Sequence, residues 1–279
     1  MYAGIETGGT KTVCAVGADG AIEHRTQFPT GSDPVALADR CGQFFAQWPV
    51  DAVGVGTFGP CDPDPDSPSY GHILNTPKPG WSGADLLGLL GQRIDAALHL
   101  TTDVTAAALG EQRYGAGRGL DDLVYVTIGT GVGGGAVLGG RLLHGAQHPE
   151  MGHMRLAVSD TRGICPYHGD CFEGLASGPA MQARTGRPGQ EIDDDDPAWD
   201  EEAALVAAGL HNITCVLSPS CIIVGGGVGA RAALHRRLPD LLSRSLADIV
   251  AVPRLVPPGL GPDSGVVGAM TLAEDHGPA

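Results

Sequence analysis

The sequence predicts an α/β protein built as two similar lobes around a central cleft. Strand and helix patterns alternate in the same order in both halves, giving a βββαβα core twice over. Each half also opens with a glycine-rich turn between its first two strands. A length of 279 residues is enough for one large domain or two modest ones.

In the first half, residues 2–6 read as a strand, followed by Thr7-Gly-Gly-Thr-Lys11 and a second strand over 12–16. Asp19-Gly20 is a hairpin dipeptide that turns the chain into a third strand over 21–28. Leu37, Cys41, Phe44, Phe45 and Trp48 share one face of a helix expected over 33–48. An apolar strand over 51–57 comes next, then a Pro- and Gly-rich loop over 58–82, a length usually reserved for function. Ser82 is the expected cap of a helix over 82–97, and a strand over 98–102 runs into Asp103 and a helix over 104–114.

The second half repeats this opening. A strand over 123–128, a glycine turn, a strand ending at 138 and a short strand over 141–143 form its meander. Residues 144–171 are irregular and hold His and Cys, while 187–200, with the charge run Asp193 to Asp196, read as a solvated loop. A helix over 200–217, a strand over 221–224, a helix over 230–249, a strand over 254–257 and a helix over 264–274 complete the chain.

Composition narrows the function. The formal charge is −15, which disfavours nucleic acid and anionic lipid as partners. No window approaches the ~20 apolar residues of a membrane helix. No basic start leads into an apolar run, and the cysteine count of 7 is odd, so a cytoplasmic protein with reduced thiols is expected. Glycine, at 44 residues, is about twice its usual ~7% share and is clustered without a three-residue period, which excludes collagen.

Three clusters stand out: Gly8-Gly9-Thr10-Lys11, Gly129-Thr130-Gly131-Val-Gly133, and Gly225-Gly226-Gly227-Val228. Glycine lets backbone N–H groups converge on an anion, and Thr10 and Thr130 add hydroxyl donors. Taken singly, each of the first two reads equally as a tight hairpin. Asp103, between a strand and an alanine-rich helix, reads either as a helix cap or as a general base at the carboxyl end of a strand. His153, Cys165, His168 and Cys171 supply four ligands suited to a closed tetrahedral Zn²⁺ site, which is structural in kind. The other cysteines read as buried small hydrophobes or scattered loop residues.

Glu6-Thr-Gly-Gly-Thr-Lys11, Thr102-Asp103, Gly129-Thr-Gly-Val-Gly-Gly-Gly135, Glu150-x-x-His153, the Cys/His cluster and Gly225-Gly-Gly-Val228 together resemble the ROK sugar kinases, in family order and over nearly the whole chain. Thr76-Pro-Lys-Pro-Gly-Trp81, Cys165-Pro-Tyr-His-Gly-Asp-Cys171 and Glu173-Gly-Leu-Ala-Ser-Gly-Pro-Ala180 resemble its bacterial fructokinase branch.

The resemblance implies an actin-like ATPase (ribonuclease H-like) fold. It implies one lobe of residues 1–117 joined by a C-terminal helix over 264–279, and a second lobe of residues 118–263. It implies ATP-dependent phosphorylation of fructose at the 6-hydroxyl, with Asp103 as the base. Gly8, Gly9, Thr10, Lys11, Thr130, Gly131 and Gly133 would hold phosphates, and Gly225, Gly226, Gly227 and Val228 the adenosine. Glu150, His153 and Glu173 would line the sugar site, with Asn75 and Thr102 beside Asp103. Mg²⁺ with ATP, structural Zn²⁺ and a homodimer are implied as well. The family commonly has Asn where Thr102 stands, Asp where Glu6 stands, and cysteine where His168 stands. A glucokinase, mannokinase or broader hexose kinase would use the same phosphoryl-transfer motifs. A non-catalytic sugar-sensing relative would leave Asp103 dispensable, and a DNA-binding regulator would need a segment before the turn that begins at Gly8.

Overall fold

The chain folds first into a three-stranded meander: β1 (Tyr2–Thr7), β2 (Lys11–Ala18) and β3 (Ala21–Pro29). Asp19 and Gly20 both adopt positive φ, at 51° and 77°, as the tight turn before β3 requires. In this computed structural model, residues 1–145, 147–159 and 162–277 are described. Residues 146, 160 and 161 of the irregular stretch, and 278–279 at the end of the expected last helix, lie outside the described residues.

After β3, Asp33 caps α1 (Pro34–Phe45), its Oδ1 accepting from the N–H groups of Val35 and Ala36. The fully buried β4 (Ala52–Thr57) lies parallel to β1, and β5 (Ala97–Thr102) lies parallel to β4. The sheet order is β3-β2-β1-β4-β5. Between β4 and β5, α2 covers only Leu86–Gly91, not 82–97. Gly83 stands at a φ of 78°, outside the helical region, and the cap is Asp85, which accepts from Gly88 N at 2.8 Å. Two glycines within α2 weaken its propensity further. The helix α3 (Asp103–Tyr114) follows β5 directly.

The second meander repeats the pattern. It comprises β6 (Leu123–Ile128), β7 (Val132–Leu138) and β8 (Arg141–Leu142); β9 (Cys221–Gly225) lies parallel to β6 and β10 (Arg254–Val256) parallel to β9. The order β10-β9-β6-β7-β8 is that of the first sheet with the numbering advanced by five. Both sheets with their helices match the actin-like ATPase expectation. Two short helices that the sequence reading missed, α4 (Phe172–Ala176) and α5 (Gly178–Thr185), lie in the connection before β9. Their signals are present: Ser177 Oγ accepts from Ala180 N, Pro179 occupies the first turn, and Gly186 ends α5 in the left-handed conformation. Then come α6 (Ala198–Leu217), the single turn α7 (Gly226–Gly229), α8 (Ala232–Leu246) and α9 (Ser264–His276). Among the described residues no helix is long and apolar enough to cross a membrane.

Contacts divide the chain into two compact units. One comprises Met1–Gly119, Leu142–Pro149 and Pro262–Ala279; the other comprises Leu120–Arg141 and Glu150–Gly261. The segment Leu142–Pro149 thus packs with the first unit, although the sequence reading groups it with the second. Within the first unit, α1, α2 and one face of the sheet enclose an apolar core that includes Ile5, Leu37, Phe45, Val55, Trp81 and Leu90.

The other face carries α3 and α9 at backbone distance. A Cβ on Gly54 would stand 1.8 Å from Ala269 O, and one on Gly268 only 1.6 Å from Ala106 O. In an ordinary helix interior, Gly→Ala gains ~1 kcal/mol of stability. At Gly268 the obstacle is backbone, and overpacking of ~1–3 kcal/mol reverses the sign. Gly268→Ala therefore lowers the urea midpoint, and a midpoint equal to or above wild type would contradict this packing.

Candidate active site and metal cluster

The strand-to-helix junction at residues 102–103 assigns the cap, one of the two roles that the sequence left open for Asp103, to its neighbour. The cap of α3 is Thr102, whose Oγ1 accepts from Thr105 N at 3.2 Å. Asp103 is the first helical residue instead, half-buried, with Oδ1 accepting from Val104 N at 2.8 Å. It stands at the carboxyl end of β5, where open α/β sheets place ligands, and in the first turn of a helix, where negative charge is favoured. Gly56 of β4 lies directly under this turn: a Cβ there would stand 3.0 Å from the Ala106 Cβ and 3.4 Å from the Asp103 Cα.

In the same unit, the turn between β1 and β2 is closed by Gly8 N donating to Lys11 O at 2.9 Å. Thr30 braces it twice, its Oγ1 donating to Gly8 O and its N to Thr10 O. Gly9 and Thr10 are exposed at its tip. Lys78, from the long loop, donates from Nζ to Gly9 O at 2.6 Å, and burial lowers its pKa. That loop is ordered by Trp81, which is 0% exposed and donates from Nε1 to Gly31 O. Asn75 is exposed on the same loop. Just before the turn, burial raises the pKa of Glu6, opposed by Lys11 and Arg25. Glu6 Oε2 is buried without a hydrogen-bond partner.

In the second unit, the turn between β6 and β7 is closed by Gly129 N donating to Gly131 O at 2.9 Å, with Thr130 exposed at its tip. Gly178 N, at the start of α5, donates to Gly129 O. Glu173 does more than the sequence suggested: its Oε2 accepts from Val132 N at 3.1 Å and lies where a Cβ on Gly131 would be. Gly133 pairs with Thr127 in the ladder. The third cluster becomes β9 running into α7. Gly226 takes a φ of 85° against the Ile128 backbone, and Gly227 faces open space. Val228 is buried, with its side chain at ordinary contact distance from a Cβ built on Gly178 or on Gly189.

Glu150 keeps solvent exposure, yet the protein packed around its carboxyl raises its pKa. His153 lowers that pKa and Glu173 raises it, so the three predicted sugar residues form one electrostatic group. His153, Cys165, His168 and Cys171 present one ligand atom each within 4.8 Å of one another. Cys165 Sγ lies 3.8 Å from both His153 Nδ1 and His168 Nδ1, and Cys171 Sγ lies 3.6 Å from His153 Nδ1. Tetrahedral zinc bonds of ~2.3 Å to sulfur and ~2.05 Å to nitrogen would put neighbouring S and N atoms about 3.6 Å apart, so the donor set fits. Burial pushes the Cys171 thiol up to about 11, so a cation must displace a tightly held proton there. Arg155 pairs with Asp170 and donates to His168 O, bracing the loop that bears the ligands.

One residue beside the site escaped the sequence reading. His148 Nδ1 lies 3.4 Å from Thr102 Oγ1, next to Asp103. Burial, aided by His144, holds its pKa at about 4. No spacing rule links positions 102 and 148; only the fold brings them together.

Comparison with known proteins agrees with this arrangement. The family model described as "ROK family" matches residues 2–276. The chain is 41% identical to a fructokinase of Pediococcus pentosaceus over 98% of both chains. It is 44% identical to a fructokinase of Lactococcus lactis subsp. cremoris, over 81% of this chain and 79% of that one. Its structure resembles a ROK family glucokinase from Streptomyces griseus solved with glucose and AMPPNP, with a TM-score of 0.84, 28% identity, and coverage of 98% and 99%. Near-complete coverage by the family model, together with these relatives, establishes that the chain belongs to the ROK family.

Proposed function

We propose that the protein is an ATP-dependent fructokinase, transferring the γ-phosphoryl group of ATP to the 6-hydroxyl of fructose and releasing ADP. The observation that carries this reading is the place of Asp103, the first residue of α3 at the carboxyl end of β5, where the cap role falls to Thr102 and not to Asp103. The choice of fructose is supported by the fructokinases that the chain resembles at 41% and 44% identity. A glucokinase or mannokinase would need the same catalytic groups, and the S. griseus glucokinase keeps that alternative in view.

The Asp103 carboxylate accepts the proton of the 6-hydroxyl as that oxygen bonds to the γ-phosphorus and the bond to the β-phosphate oxygen breaks. The turns Gly8-Gly9-Thr10-Lys11 and Thr130-Gly131-Val-Gly133 bind phosphate oxygens through the groups at their exposed tips, Gly9 and Thr10 in the first and Thr130 in the second, while Gly8 N, given to Lys11 O, holds its turn closed. Gly225, Gly226, Gly227 and Val228 take the adenosine, with the open side of Gly227 leaving room for backbone approach. Glu150, His153 and Glu173 bind sugar hydroxyls, and Asn75 belongs to the same proposal on the family resemblance, whereas Thr102, which stands where the family commonly has Asn, has its hydroxyl engaged at the cap of α3. Mg²⁺ supplies charge neutralisation for the nucleotide phosphates. Glu6 Oε2, buried without a partner, is the oxygen fitted to hold that ion directly or through water.

Zn²⁺ is the ion we assign to His153, Cys165, His168 and Cys171, on the fit of their donor atoms. Its role is structural: it ties His153 to the loop that leads into Glu173. A cytoplasmic homodimer is the setting proposed with it, on the family resemblance.

Asp103→Asn keeps an oxygen for the Val104 N–H and removes the base. Turnover of fructose falls at least ~100-fold while sugar binding by calorimetry remains measurable. A variant holding more than a tenth of wild-type turnover would remove Asp103 from this role. Elemental analysis of freshly purified protein finds roughly one zinc per chain. Cys171→Ser loses that zinc, together with protease resistance over residues 150–175 and affinity for the hexose. Zinc well below stoichiometry in the wild-type protein would reject the assignment.

A further inference from the structure

The sequence leaves one position of the sugar site open: Thr102 stands beside Asp103 and carries a hydroxyl. Its surroundings leave that hydroxyl nothing to offer. Thr102 is 1% exposed. Its Oγ1 donates to Thr105 Oγ1 at 2.8 Å, accepts from Thr105 N at 3.2 Å, and lies 3.4 Å from His148 Nδ1. A hydroxyl has one proton and two lone pairs. With the proton given to Thr105, the remaining lone pair receives a proton from His148, so the hydrogen sits on Nδ1.

That assignment settles the other ring nitrogen. A neutral imidazole with Nδ1–H carries its lone pair on Nε2. The ring is neutral at physiological pH, because burial and His144 hold its pKa at about 4. Among the described residues Nε2 has no hydrogen-bond partner. His148 thus brings a half-buried, oriented, unused acceptor to the residue that adjoins Asp103, and it precedes Glu150 by two positions in the chain. In the ring form that leaves the 6-hydroxyl free, the C5 oxygen closes the ring, and the nearest other hydroxyl donor of the hexose is on C4.

We propose that His148, in place of Thr102, is a specificity-determining contact of the hexose, its Nε2 accepting a hydrogen bond from a hydroxyl close to the 6-position. This rests on the reading of Asp103 as the base. An acceptor held by the protein discriminates by what it leaves unpaired: a sugar without a donor at that place strands it.

Two substitutions separate a sugar contact from a strut for Thr102. Asparagine keeps a polar atom near the place of Nδ1 and removes Nε2; glutamine keeps one near Nε2 and removes Nδ1. The test measures KM for fructose, KM for ATP and kcat in both variants, with thermal melting of each. His148→Asn raises the fructose KM about 10-fold and leaves the ATP KM at the wild-type value. His148→Gln recovers most of that loss. A wild-type fructose KM in His148→Asn overturns the proposal, whatever His148→Gln does. So does equal impairment of both variants with the ATP KM raised in step, which marks a general disturbance of the site. Failure of the underlying reading looks different: the wild-type protein phosphorylates no hexose, or Asp103→Asn retains turnover.

Discussion

The first unit depends on a contact that no side chain could occupy. At the crossing of α3, α9 and the sheet, Gly54 and Gly268 bring backbone against backbone, and a Cβ added at either position would land 1.8 Å or less from a carbonyl oxygen. Dispersion at such short range is lost steeply with separation, so one added methyl group costs more than helix propensity returns. The consequence reaches the chemistry, because α3 begins with Asp103. The helix packed at backbone distance is the one whose first residue is the proposed base. Ser264, at the start of α9, donates to the buried Glu111 of α3 and ties the two helices again. Much of the glycine in this chain is therefore a packing requirement, alongside its role in turns.

Anion binding by a chain of net charge −15 raises a second constraint. The chain has only two lysines, Lys11 and Lys78. Lys78 donates to the carbonyl of Gly9, so part of its hydrogen-bonding capacity already stiffens the first turn. Many arginines are held by carboxylates: Arg184 by Glu202, Arg187 by Asp196, Arg231 by Asp194, Arg236 by Asp195 and Arg237 by Asp200. In the proposed kinase, backbone amides at two equivalent turns, threonine hydroxyls at their tips and a divalent cation facing Glu6 would meet much of the phosphate charge. Burial raises the Glu6 pKa, and a cation beside it would favour the charged carboxylate.

The legible parts of the sequence were those governed by local rules. Asp19-Gly20 forced a hairpin, the apolar run of β4 marked a buried strand, and two glycine turns marked a duplicated meander. The Cys/His cluster was readable because its four residues lie close in sequence. Errors arose where neighbouring rules competed. The helix expected over 82–97 shrank to α2, because Gly83 leaves helical space and Asp85 makes a better cap than Ser82. The pair α4 and α5 was missed although Ser177-Gly-Pro179 and Gly186 frame α5, because helices of five and eight residues are too short to show a periodic apolar face. That the cap of α3 is Thr102 and not Asp103 shows only in the fold. The contact between Thr102 and His148 spans 46 positions and has no periodic signature.

Phosphoryl transfer to a hexose, with fructose preferred, is the central claim. It is tested most directly by following ADP release from ATP with purified protein and Mg²⁺, with fructose, glucose and mannose supplied in turn. The account predicts the highest kcat/KM for fructose, with fructose 6-phosphate as the product. Equal or faster turnover of glucose would contradict the fructose assignment, and no turnover of any hexose would contradict the kinase reading itself.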